Sequence, residues 1–92
     1  TSSARPSFNC ANARTRGEVA VCRSDRLATL DRRMAGEFTG AMRQATPEQR
    51  ALLQRTRGTF LAYRDRCTSD ACIAGAYNDR IREIRDIIND RW

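Results

Sequence analysis

The 92-residue chain contains no histidine and no lysine. Without histidine it lacks the usual base that activates a serine or cysteine nucleophile and the commonest nitrogen ligand for zinc. Cysteine is scarce, four residues in all. No two of them form a Cys-x-x-Cys pair, so a thioredoxin-type redox motif is excluded and the paired ligands of zinc ribbons and fingers are missing. Long hydrophobic runs are absent too. The longest near-apolar stretch, Ala71 to Tyr77, is far too short to cross a bilayer. The start, Thr1 to Pro6, has no apolar signal core and reads as a processed terminus or an arbitrary boundary. We read residues 1–6 as a flexible tail and 7–92 as one helical domain, small enough that covalent help is expected. Paired acids such as Asp86 and Asp90 fall on a solvated helical face and imply no cleft. No catalytic residue, metal ligand or cofactor is assigned, and the expectation is a protein that is not an enzyme.

The charge that is present is arginine. All 17 basic residues are Arg against 11 acids, for a net charge of +6. Residues 1–26 and 47–66 each carry five Arg against two acids, whereas 67–92 carry four against five. The positive charge is uneven but never forms a dense run. With aromatics at 7%, mostly on core-facing stripes, stacking on nucleic acid is not expected.

An even cysteine count in a small chain points to two disulfides and an oxidising compartment. Three pairings are open. Proximity favours Cys10–Cys22 with Cys67–Cys72, for which loop entropy gives about 3 and about 2 kcal/mol. A crossed pairing would close longer loops and contribute more, so energy alone does not choose.

Helical punctuation is plain. Thr15-Arg16-Gly17-Glu18 is a capping box opening a short helix through about Cys22. Ser24 caps a second helix, with Asp25 placed for the helix dipole. Its stripe is Leu27, Leu30, Met34, Phe38, Ala41 and Ala45. Thr46-Pro47-Glu48-Gln49 combines a cap, Pro at the first helical position and Gln at the capping-box position. The third stripe is Leu53, Thr56, Phe60, Tyr63 and Cys67. Ser69 or Asp70 caps a fourth helix striped by Ile73, Tyr77, Ile81, Ile84 and Ile88, with Ala76 and Ile87 alongside and Trp92 at the end. Its other face carries Asp79, Arg82, Glu83, Arg85 and Asp86. No strand alternation or internal repeat competes. The fold class is therefore all-α: a stapled bundle of one short and three longer helices, the last two an antiparallel hairpin.

In that arrangement Cys67 ends one helix and Cys72 lies in the first turn of the next, so a bridge pins the corner. A Cys10–Cys22 bridge would fold Phe8 and the lead segment back onto the domain. All five glycines fall inside predicted helices, each costing about 1 kcal/mol against Ala, which adds to the need for staples. Gly36-x-x-x-Gly40 reads as a close helix crossing within the domain rather than a membrane motif.

Two strings, Arg64-Asp65-x-Cys67 and Cys72-Ile73 followed by Tyr77, Arg80-Ile81 and Ile84, resemble the lysozyme-inhibitor LprI-like N-terminal domain family. So does the first half: Pro6-Ser7-Phe8-Asn9-Cys10-Ala11, Ala13-Arg14-Thr15, Glu18, Cys22, Leu27 and Leu30-Asp31. The resemblance spans roughly residues 6 to 88. It implies an exported bacterial protein, periplasmic or secreted, helical and disulfide-bonded, with a role in inhibiting lysozyme.

Two functional expectations follow. The first is a protein-binding module, read as a monomer, that inhibits a lysozyme-type cell-wall glycosidase. Thr68, Ser69 and Asp70 would enter a cleft carrying two carboxyl groups, flanked by Arg64 and Arg66 as carboxylate partners. Capping of the fourth helix explains Ser69 and Asp70 without any partner and is the more frequent role of such residues. Arg64-Asp65 is likewise more often a structural ion pair or dipole interaction than a recognition element. The alternative is a basic envelope-associated scaffold, with residues 1–26 and 47–66 contacting an acidic protein or an anionic lipid surface, and binding that weakens steeply with salt. Tyr63 and Tyr77 could line a small pocket, but core is their commoner fate.

Overall fold

A computed structural model describes residues 5–92. Most of the tail assigned to residues 1–6 therefore lies outside the described residues. A short 3-10 turn, Cys10–Asn12, leads into four helices: α1 (Arg16–Arg23), α2 (Asp25–Gln44), α3 (Pro47–Arg66) and α4 (Asp70–Ile88). Each begins where a side chain can take up free backbone N–H groups. At α1 the Glu18 N–H donates to Thr15 Oγ1 at 3.1 Å, and the Thr15 N–H donates back to Glu18 Oε1 at 3.1 Å. At α3 Thr46 and Gln49 repeat the exchange, at 3.1 and 2.9 Å, with Pro47 at the first position, where its missing N–H costs nothing. Ser24 caps α2 and Ser69, rather than Asp70, caps α4.

Cross-contacts fix the directions. Asp31 meets Tyr77 and Glu37 meets Arg85, so α2 and α4 run parallel. The Gln49 amide donates to the carbonyls of Ile87 and Ile88, and Arg64 meets Tyr77, so α3 and α4 are antiparallel. Arg50 donates to the Met42 carbonyl across the α2–α3 turn. The long helices form an up-down-up bundle, and α1 closes the end where α2 and α4 begin and α3 stops.

Both disulfides lie at that closed end: Cys10–Cys22, with Cα atoms 5.8 Å apart, and Cys67–Cys72, 5.6 Å apart. These are the pairings that proximity favours. Phe8 packs against the core as expected. The core holds Val21 of α1, Leu27, Leu30 and Met34 of α2, Leu53 and Phe60 of α3, and an isoleucine row on α4. Phe60 meets Tyr77 edge to face, with centroids 5.2 Å apart, a favoured aromatic geometry.

Three expectations are corrected. Tyr63 is exposed, and its place on the α3 stripe belongs to Arg64. Both lie three to four residues after Phe60 and could face inward; the buried Tyr77 hydroxyl of α4, itself bonded to Asp31 of α2, selects the arginine. Trp92 does not finish the α4 stripe but lies 61% exposed. Gly36 and Gly40 do not mark a close crossing: both are exposed, and a Cβ at either would touch nothing within 4 Å. The close approach falls instead at Gly17. A Cβ there would run into the Asp65 carboxylate, and would come within 2.9 Å of Arg64 Nε and 3.2 Å of the Arg64 carbonyl.

Candidate functional site around the stapled corner

The corner joining α3 to α4 is short because α3 ends on a backbone bond and α4 starts on a side-chain cap only two residues later. Cys67 is the C-cap of α3, and its N–H returns to the Arg64 carbonyl at 3.1 Å. Two residues later Ser69 Oγ accepts the Cys72 N–H at 3.1 Å and starts α4. The bridge crosses this turn and is partly sunk, with Cys67 buried and Cys72 half-buried. Arg66, Thr68, Ser69 and Asp70 are all exposed around it. Asp70 sits in the first turn of α4, where the helix dipole favours a negative charge. Arg66 sits in the last turn of α3, where it favours a positive one.

Arg64 is elsewhere. It is 4% exposed and every guanidinium nitrogen is engaged. Nε and Nη2 donate to Asp65 Oδ1 at 3.1 and 2.9 Å, and Nη1 donates to Tyr77 Oη at 3.1 Å. The Tyr77 hydroxyl donates to Asp31 Oδ1 at 2.8 Å. Asp31 Oδ2 accepts the Ser7 N–H, and Asp65 Oδ1 accepts the Thr15 hydroxyl at 2.9 Å. The lead segment and all four helices thus meet in one polar cluster. Burial pushes the Tyr77 phenol well above its usual range and Asp31 pushes it the same way, against Arg64. The phenol stays protonated, as a donor to Asp31 must. Of the two flanking arginines expected to reach a partner, only Arg66 can do so.

A second arginine, Arg80 of α4, is buried further along the bundle and is 2% exposed. It donates to Thr56 Oγ1 at 2.7 Å, to the Leu53 carbonyl at 2.9 Å and to Glu83 at 2.8 Å. Its Nε has no hydrogen-bond partner. The guanidinium carbon lies 5.8 Å from the centroid of Phe38, so a ring face supplies part of the compensation. Burial draws its pKa down, partly offset by Glu83; it stays charged because a guanidinium does not lose its proton in proteins.

Asp31 and Arg80 are buried polar residues that the sequence reading missed, and Arg64 forms with Asp65 the structural ion pair that the sequence allowed. Each falls on its helix's inward spacing: Leu27–Asp31–Met34, Phe60–Arg64–Cys67 and Tyr77–Arg80–Ile84. Opposite charges at stripe positions of different helices are the signal that could have found them. Among the described residues no three His, Cys, Asp or Glu side chains converge as a metal site, and no helix is long and apolar enough to cross a membrane.

Fold and corner together define a small all-helical protein closed by two disulfides, with a polar turn held rigid at one end. The family model described as Lysozyme inhibitor LprI matches residues 9–87. The chain belongs to that family, which is described by inhibition and not by catalysis. No curated protein and no solved structure matches the chain.

Proposed function

We propose that the protein is an exported inhibitor of a lysozyme-type cell-wall glycosidase and that it binds through the Cys67–Cys72 corner. Membership of the inhibitor family across residues 9–87 is the observation that carries this reading. Two disulfides support an oxidising location, since thiols in a reducing cytosol stay unpaired. Enzymes of this class cleave between two carboxyl groups in a cleft. An exposed turn that cannot flex loses little entropy on entering such a cleft. Arg66 offers a forked cation for one carboxylate, and Thr68 and Asp70 offer hydrogen-bonding groups beside it. Ser69 serves mainly to hold the turn.

The test is titration of the protein into a panel of lysozymes while cell-wall lysis is followed. Dose-dependent inhibition is expected, weakened about tenfold or more by Arg66→Ala or Asp70→Ala. Full lytic activity of every enzyme at saturating protein would overturn the proposal.

The alternative, a basic module that contacts an anionic lipid surface or an acidic protein, draws support from the outer side of α2. Two adjoining grooves there are lined by Arg32, Arg43 and Arg57 and by no carboxylate. Two of these arginines come from α2, not from the segments richest in Arg. Salt-sensitive binding to anionic vesicles, lost on Arg32→Ala with Arg43→Ala, is the expected result; indifference to vesicle charge would dismiss it.

A further inference from the structure

The corner offers four exposed side chains, Arg66, Thr68, Ser69 and Asp70. A stable protein–protein interface takes roughly 20–30 residues and about 800 Å² from each partner. The corner therefore cannot hold an enzyme alone, and a neighbouring surface must share the contact.

Among the described residues, a groove next to the corner has a composition suited to that contact. It has a volume of about 350 Å³ and runs between α3 and α4, lined by Thr56, Thr59 and Tyr63 on one side and Ala76, Asp79 and Glu83 on the other. It opens beside the corner, because Tyr63 lies one turn before Cys67 and Ala76 one turn after Cys72. A smaller pocket of about 250 Å³ continues it past Leu52 and Ile87 to Glu48, Asp90 and Trp92. The Trp92 indole N–H donates to Glu83 at 3.1 Å, which links the two stretches. From Tyr63 back to Glu48 the path along α3 is about 22 Å at a helical rise of ~1.5 Å per residue.

Two features set this groove apart. Tyr63 and Trp92 are the exposed large hydrophobic residues among the described residues, 52% and 61% accessible; Tyr63 stands at its corner end and Trp92 where its two stretches join. Tyrosine and tryptophan are the side chains that most often anchor protein interfaces. The charge is also reversed relative to the molecule. In a chain of net charge +6, the lining carries Glu48, Asp79, Glu83 and Asp90; its one basic residue, Arg80, is buried and neutralises Glu83 at 2.8 Å, which leaves Glu48, Asp79 and Asp90 as the exposed acids. The same patch on an acidic protein would mean little; on this one, carboxylates collect where the aromatics are.

We propose that the α3–α4 groove is the second half of the inhibitory surface and that it takes a cationic protein face, the Arg- or Lys-bearing rim of the target's cleft. This rests on the glycosidase-inhibitor reading and adds the partner's charge and the second contact. With the corner in the cleft, the rim lies along the groove, Tyr63 and Trp92 supply buried area, and the exposed Asp79, Glu48 and Asp90 meet the rim's cations and speed encounter.

The test uses the ¹⁵N-labelled full chain, whose single tryptophan gives one indole N–H signal. One strongly basic and one acidic lysozyme are titrated in while lysis is measured in parallel. With the basic enzyme, the indole and the amides of Tyr63 and Asp79 shift together with residues 66–72, and lysis falls. Tyr63→Ala and Asp79→Arg each weaken binding about tenfold or more, whereas Arg43→Ala on the opposite face does not. Inhibition with shifts confined to residues 66–72 overturns the groove and leaves the inhibitor reading intact. Groove shifts with undiminished lysis overturn the inhibitor reading and with it the groove's place in an inhibitory surface, leaving only a groove that binds a cationic protein face. Equal groove shifts with the acidic enzyme refute the charge assignment, and no shifts with either enzyme refute both proposals.

Discussion

Arg64 and Arg80 are both buried guanidinium groups, yet they do different things for the bundle. Arg64 lies at the closed end, among two carboxylates and a phenol contributed by α2, α3 and α4, and one of those carboxylates also holds α1. Arg80 lies nearer the middle and bonds only to its own helix and to α3, with Nε unmatched. A buried charge stabilises little by itself; its worth depends on what would be left unpaired without it. Removing Arg64 takes a donor from the fully buried Tyr77 hydroxyl, which itself holds the buried Asp31, and frees Asp65, which also ties down Thr15. Removing Arg80 leaves Glu83, whose side chain is 31% exposed and can turn to water.

The contrast can be broken by exchange. Arg64→Ala is expected to cost about 3–5 kcal/mol in chemical denaturation, a large share of the ~5–15 kcal/mol that such domains possess. Arg80→Met, which keeps the apolar stem, is expected to cost far less or to stabilise. Equal losses for the two variants would show that position in the network does not matter. Gly17→Ala probes the same network from α1: the new methyl displaces Asp65 and Arg64 and costs about 1–3 kcal/mol. Gly75→Ala, on an exposed stretch of α4 where a Cβ meets nothing within 4 Å, should instead stabilise by about 0.5–1 kcal/mol.

The smallest effect is that of pH. The backbone N–H groups of Arg14 and Thr15 hold the Glu18 carboxyl below its ordinary value of 4.5, and Arg85 does the same for Glu37. A carboxyl whose folded pKa is depressed contributes stability that is present above the unfolded value and lost as pH falls through the folded one. Thermal melts should therefore decline below about pH 4.5, and Glu18→Gln with Glu37→Gln should flatten the decline. An unchanged slope would mean that other carboxylates carry it.

Much of this fold could be read in advance because its signals are local. Thr15, Ser24, Thr46 and Ser69 act within four residues of themselves, and cysteine spacing ordered the bridges by proximity. Gly17 and Gly36 look alike in the sequence, but only the arrangement of α1 on α3 distinguishes a tight contact from an open face. The candidate site was half legible for the same reason. Arg66, Thr68, Ser69 and Asp70 follow from where two helices must end. Whether Tyr63 or Arg64 turns inward depends on Asp31 and Tyr77, residues more than ten positions away, and a single helix's periodicity allows either.

Both cystines gather at one extremity of the bundle. The opposite extremity, where α2 turns into α3 and α4 runs out, relies on the Gln49 amide and the Arg50 guanidinium reaching backbone carbonyls. Opening should therefore proceed like a zip with one end sewn shut. Amide exchange would be fastest around Gln44 to Gln49 and Ile88 to Asp90, slowing toward the bridged extremity. A protease would find its first cut far from the turn proposed to meet the target, and a nicked molecule would keep that turn in shape.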